Sequence, residues 1–135
     1  MHVNRLTEQV IGAAIIVHRE LGPGLLESAY EKCMAVEMAQ RGLPFERQFP
    51  LKILFKQVRI DCGYRVDFLV DPKVVVELKA VSHLEPIHSA QILTYLKLSG
   101  CHVGLLINFN VHVLRNGVHR LVRGLPEPAF HHEVH

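Results

Sequence analysis

Three charged residues stand inside an apolar run. In GYRVDFLVDPKVVVELKAV, residues 63 to 81, an acid at Asp67 is followed by an acid and a base at Glu77 and Lys79, amid Val, Leu and Phe. Asp71-Pro72-Lys73 is a turn signal, since Pro presets φ and Asp favours turn starts. The flanking runs are β-branched and aromatic and read as strands. A hairpin folded about Pro72 pairs Val66 with Leu78, Phe68 with Val76 and Val70 with Val74, giving one apolar face. The other face carries Arg65, Asp67 and Leu69 against Lys79, Glu77 and Val75. Asp67 then lies opposite Glu77 with Cβ atoms about 4.5–5.5 Å apart, where a bare pair of carboxylates repels. A divalent cation held between them reverses the sign, and Mg²⁺ and Mn²⁺ prefer such oxygen ligands. Lys79, on the same face, is placed to orient a water or hold a phosphate oxygen. The competing reading is an edge hairpin whose acids face water; the apolar neighbours Leu69 and Val75 weigh against it.

Other elements must position this hairpin. A chain of 135 residues fits one domain and can bury its own core, so we expect a single domain over 1–124 and a tail over 125–135. Hydrophobic content of 49% excludes a disordered chain, and a net charge of +2 permits nucleic acid as partner without arguing for it. No run reaches the roughly 18 apolar residues of a membrane span. The N-terminus lacks a signal-peptide pattern, so the expected location is cytoplasmic, with no membrane partner. Cys33, Cys62 and Cys101 are too widely spaced for a zinc or iron–sulfur site and read as small buried hydrophobes in a reducing compartment. The His-containing tail PEPAFHHEVH is expected to be a mobile end.

Leu6, Val10, Ala13, Ala14 and Val17 have helical spacing over residues 4 to 20, with Asn4 as N-cap and LGPG as terminator. A second helix is expected from about 25 to 41, stopped by Gly42. Residues 45 to 60 read as two strands about Lys56-Gln57. Glu85-Pro86 opens a third helix that Gly100 closes. CHVGLLINF reads as a buried strand, and Asn116-Gly117 as a hairpin turn between VHVLR and VHRLV. The order α-α-β-β-β-α-β-β-β is that of an α+β domain with a mixed sheet flanked by helices.

Two helices carry further polar groups. In the third, Gln91 and Tyr95 stand at i and i+4 with His88 on the same side, opposite an expected core stripe of Ile87, Ala90, Leu93 and Leu96 or Leu98. Such a face could hold a phosphate or stack on a base, or simply face water. In the second, Glu27 and Tyr30 share a side; an acid in a first turn is also favoured by the helix dipole alone. His18 near the end of helix one is likewise favourable there as a cation.

Gly24, Glu27 and Tyr30 fit G-x-x-E-x-x-Y; Asp67, Glu77 and Lys79 fit D…E-x-K; Gln91 and Tyr95 fit Q-x-x-x-Y. In this order the chain resembles the GxxExxY proteins, small members of the PD-(D/E)xK nuclease superfamily related to RecB-like and lambda-exonuclease-like nucleases. The resemblance spans roughly residues 4 to 124 and departs from the family wording in having Val66 before Asp67. It implies a restriction-endonuclease-like core of order αβββαβ. It also implies one or two Mg²⁺ or Mn²⁺ ions held by Glu27, Asp67, Glu77 and the Leu78 carbonyl, with His18 a further candidate ligand. Lys79 would activate water, and Gln91, Tyr95, Tyr30 and His88 would meet the substrate. The implied function is metal-dependent hydrolysis of phosphodiester bonds in nucleic acid, expected to be DNA. The alternative is a non-catalytic binding module that retains the fold. A homodimer is expected from the small apolar chain and the C-terminal edge strand, and a larger protein partner is a further expectation.

Overall fold

The computed structural model describes residues 1–124; the tail expected from 125 lies outside the described residues. Helix α1 spans Val3–Leu21 and α2 Glu27–Gln40. Strands β1 (Phe45–Phe55), β2 (Val58–Val70) and β3 (Val74–Lys79) follow, then α3 (Pro86–Ser99), β4 (Val103–Asn108), a 3₁₀ turn (Leu114–Gly117) and β5 (Val118–Val122). The five strands form one sheet in the order β1-β2-β3-β4-β5. All neighbours are antiparallel except β3 and β4, which run parallel. A parallel pair needs a crossover, and α3 provides it. This is an α+β fold with a mixed sheet flanked by helices.

The central strands explain the layering. VVVELK and VGLLIN are almost continuously apolar, as strands covered on both faces must be. One face packs Phe68, Val70, Val74, Val76, Leu105 and Ile107 against Leu6, Val10, Ala13 and Val17 of α1 and Tyr30, Met34 and Met38 of α2. The other packs Leu51, Val66, Leu69, Val75 and Leu106 against Ile92, Tyr95 and Leu96 of α3. A Cβ on Gly104 would meet Ile92 Cγ2 at 2.9 Å, so glycine is what lets α3 sit this close to β4.

Several expectations are corrected. His2, not Asn4, caps α1, its Nδ1 accepting from Asn4 N at 3.1 Å. Asn116-Gly117 closes the 3₁₀ turn instead of a two-residue hairpin, and VHVLR is not a strand. A Cβ on Gly117 would fall against the Asn108 carbonyl, so this glycine serves close backbone approach rather than turn geometry. Residues 58 to 70 form one strand, with Cys62 and Gly63 as a bulge between the pairs Lys52–Asp61 and Leu51–Tyr64. Cys62 is therefore exposed, whereas Cys101 is buried. Helix α3 is rotated from its expected setting: Ile87 and Leu93 are exposed, and Ile92, Tyr95 and Leu96 face the core. The helix is apolar on nearly every side, so spacing alone left its inward face open.

Candidate active site

The β2–β3 ladder follows the expected register for Phe68–Val76, Leu69–Val75 and Val70–Val74, and then stops. Beyond it the two acids replace the missing backbone bonds. Glu77 Oε1 accepts from Asp67 N at 2.7 Å, and Asp67 Oδ2 accepts from Leu78 N at 2.8 Å. Facing carboxylates repel, while an amide dipole attracts each of them, so each acid turns to the other strand's backbone. Val66 accordingly joins the α3-side cluster rather than the side of Phe68 and Val70, correcting the single apolar face expected for these strands. Glu77 and Lys79 are nevertheless held firmly, because β3 pairs with β4 along its whole length to Lys79–Asn108.

The first turn of α2 adds negative charge. Glu27 opens the helix and is exposed. One turn on, Glu31 Oε1 accepts from Gln48 Nε2 at 2.9 Å, and the same amide donates to Asp67 Oδ1 at 3.2 Å. Arg47 donates to Glu31 Oε2 at 3.2 Å. Gln48 has φ 51, a left-handed conformation uncommon outside glycine, and it is the residue that ties α2 to the acid pair. Glu31, Gln48 and Arg47 were not singled out from the sequence. The available signal was the i, i+4 spacing of Glu27 and Glu31 on the helix leading into the strands.

Burial raises the Glu77 carboxyl to about 8, with the Asp67 charge as the next cause; Lys79 and the Asp67 amide oppose the rise. Asp67 is also pushed up by burial, against the pull of the Leu78 amide, with Glu31 and Glu27 adding to the rise. Burial raises Tyr95 too, followed by the charge on Glu77. Burial thus disfavours the charged form of each of these groups, and the neighbouring acids add to the effect. The carboxylate oxygens of Asp67 and Glu77 are of the type that a hard divalent ion prefers. In the present arrangement no three His, Cys, Asp or Glu side chains among the described residues are gathered as a ligand set. Asp67 and Glu77 each hold a backbone amide instead.

The remaining site residues divide. Gln91 and Tyr95 line a groove beside β2, and Tyr95 feels the charge of Glu77 and Asp67. Lys79 is half-buried next to Glu77. Tyr30 is fully buried; its hydroxyl donates to Gly22 O at 2.6 Å and accepts from Leu25 N at 3.1 Å, and its ring stacks on Phe109 at 4.4 Å. It fastens the α1–α2 connection. His88 closes the capping box of α3, its Nδ1 accepting from Glu85 N at 2.9 Å. His18 is buried with Nε2 2.7 Å from the Val111 carbonyl.

A mixed five-stranded sheet flanked by helices, with an acid pair and a lysine where β2 and β3 part, defines a nuclease-like class of fold. A model of the PD-(D/E)XK nuclease superfamily matches residues 4–121, and the chain belongs to that superfamily. No curated protein and no solved structure matched the chain. No helix among the described residues is long and apolar enough to cross a membrane.

Proposed function

We propose that the protein is a divalent-metal-dependent nuclease of the GxxExxY type that hydrolyses phosphodiester bonds in DNA. The observation that carries this reading is the Asp67–Glu77 pair beside Lys79, with Glu77 buried and Asp67 half-buried, each acid bonded to the other strand's amide and raised in pKa chiefly by burial. Glu27, Asp67, Glu77 and the Leu78 carbonyl would hold Mg²⁺ or Mn²⁺. The bound ion supplies neutralisation of phosphate charge and a lowered pKa for coordinated water. Lys79, fixed by the β3–β4 ladder, donates to the attacking water or to a non-bridging oxygen. Gln91 and Tyr95 orient the strand from the α3 side. Gln48 keeps Asp67 aimed by sharing its amide with Glu31.

The second reading is a non-catalytic nucleic-acid- or protein-binding module of the same fold. It is favoured by the backbone bonds that occupy one oxygen each of Asp67 and Glu77. Calorimetric titration with Mn²⁺ and hydrolysis of end-labelled oligonucleotides separate the two. The expected result is metal binding and metal-dependent cleavage, both lost in Asp67→Asn. Cleavage that persists in Asp67→Asn, or a wild type that binds no metal and cuts nothing, overturns the nuclease reading.

A further inference from the structure

The β1–β2 ribbon extends past the rest of the sheet. β3 pairs with β2 only at Phe68–Val70, so from Val58 to Arg65 the ladder of β2 runs with β1 alone. Two-stranded ribbons are marginal in water, yet this one exposes Leu54, Phe55 and Val58 by 62%, 57% and 58%. Across from it, α3 exposes Ile87 by 68%. Between them lies a groove of about 460 Å³ lined by Ile53, Leu54, Tyr64, Ile87, Tyr95 and Lys97. The Tyr64 and Tyr95 rings are 6.4 Å apart and tilted by 56°. Tyr95 packs in one cluster with Val66, the residue before Asp67, so the groove lies on the acid pair's side of the sheet.

Charge selects the occupant. Residues 51–66 together with α3 carry Lys52, Lys56, Arg59, Arg65 and Lys97 against one acid, Asp61, in a chain whose net charge is only +2. A second copy docking here would set one cationic arm against another. A continuous duplex hides its base faces in the stack and would leave the apolar walls uncovered. A polyanion with free base faces satisfies both, since single-strand binders pair cations for the backbone with aromatic platforms for the bases.

We propose that this groove receives an unpaired base flanking the scissile phosphate, with Tyr64 as its stacking face and Lys97 on the adjoining phosphate, so that the protein acts on single-stranded or frayed nucleic acid. The proposal rests on the nuclease reading above for its scissile phosphate, and its test is arranged to fail separately. The full chain is titrated, in a chelator that prevents cleavage, with fluorescent oligothymidylate and with a blunt hairpin of equal phosphate number. Tighter binding of the single strand by about 10-fold or more is expected, as is a loss of about 10-fold for Tyr64→Ala and retention in Tyr64→Phe. Lys97→Ala should reduce the salt slope by about 0.7.

Equal affinity for the two forms, or an unchanged Tyr64→Ala, overturns the proposal. Light scattering that gives a dimer dissociated by Leu54→Ser with Ile87→Ser also overturns it, by assigning the groove to a second copy. Cleavage with Mn²⁺ is scored separately. Cutting without single-strand preference removes this inference and leaves the nuclease reading. Tyr64-dependent single-strand binding without cutting supports the groove and removes the nuclease reading.

Discussion

The two halves of the β2–β3 hairpin are built to opposite ends. Near the turn, Phe68, Leu69 and Val70 pair with Val76, Val75 and Val74 through the backbone, and all six are buried. One residue further on, backbone pairing gives way to carboxylates that grip the opposite strand's amides. The first half is apolar, satisfied and stabilising. The second is acidic, with Glu77 buried, Asp67 half-buried and both raised in pKa, so the folded protein carries a local cost there. On the proposed reading a site that takes up a cation is less stable without one, and the turn half supplies the anchorage that tolerates it.

The largest effect belongs to the turn half. Phe68→Ala removes a fully buried ring that packs edge-on against Phe45 at 5.5 Å, and should cost about 3–5 kcal/mol in urea unfolding. A cost below about 1 kcal/mol would show that this half is not the anchor.

Glu77→Gln should act in the opposite sense. The folded carboxyl lies near 8 against an ordinary 4.5, so the folded state binds this proton more tightly. The contribution of Glu77 is therefore most favourable below about 4.5 and is lost as pH rises toward 8. At pH 8 the variant should be more stable than wild type by up to a few kcal/mol, with the gap closing toward pH 5. Hydrolysis should fall by about 10³-fold or more, since a charge-stabilising ligand is lost. Melting curves across pH read the first effect; a wild type that gains stability over that pH range relative to the variant would contradict the assigned strain.

Tyr30 offers a control outside both halves. Tyr30→Phe strips the hydroxyl from Gly22 O and Leu25 N and should cost about 1–2 kcal/mol. Cleavage per folded molecule should stay at the wild-type level. A selective fall in substrate affinity at unchanged stability would return Tyr30 to the substrate site.

Gln48→Ala should give the smallest change, about 1 kcal/mol or less, because its bonds to Glu31 and Asp67 lie at the surface. Its signature is positional: metal affinity measured calorimetrically should weaken in the variant. Unaltered affinity would mean that Asp67 is aimed by the Leu78 amide alone.

Much of this arrangement was written in local sequence. Asp71-Pro72 marked the turn, the alternation of Val and Phe set the register of its first three pairs, and Glu85-Pro86 and Gly100 bounded α3. Asp67, Glu77 and Lys79 stood out because charged residues are rare among so many apolar ones. The sequence determined these because turn chemistry, alternation and capping act over a few neighbouring residues.

Only the tertiary structure decided the rest. Which side of an almost wholly apolar α3 turns inward depends on the shape of the sheet beneath it, and that choice left Ile87 and Leu93 exposed and sank Tyr95 into the α3-side core with Val66 and Leu69. The parting of β2 and β3 at Asp67 depends on two carboxylates preferring amides from the other strand. The bridge from Glu31 through Gln48 to Asp67 joins residues from α2, β1 and β2. No local pattern encodes such a meeting, because its energy arises only once three separate elements have been packed into contact.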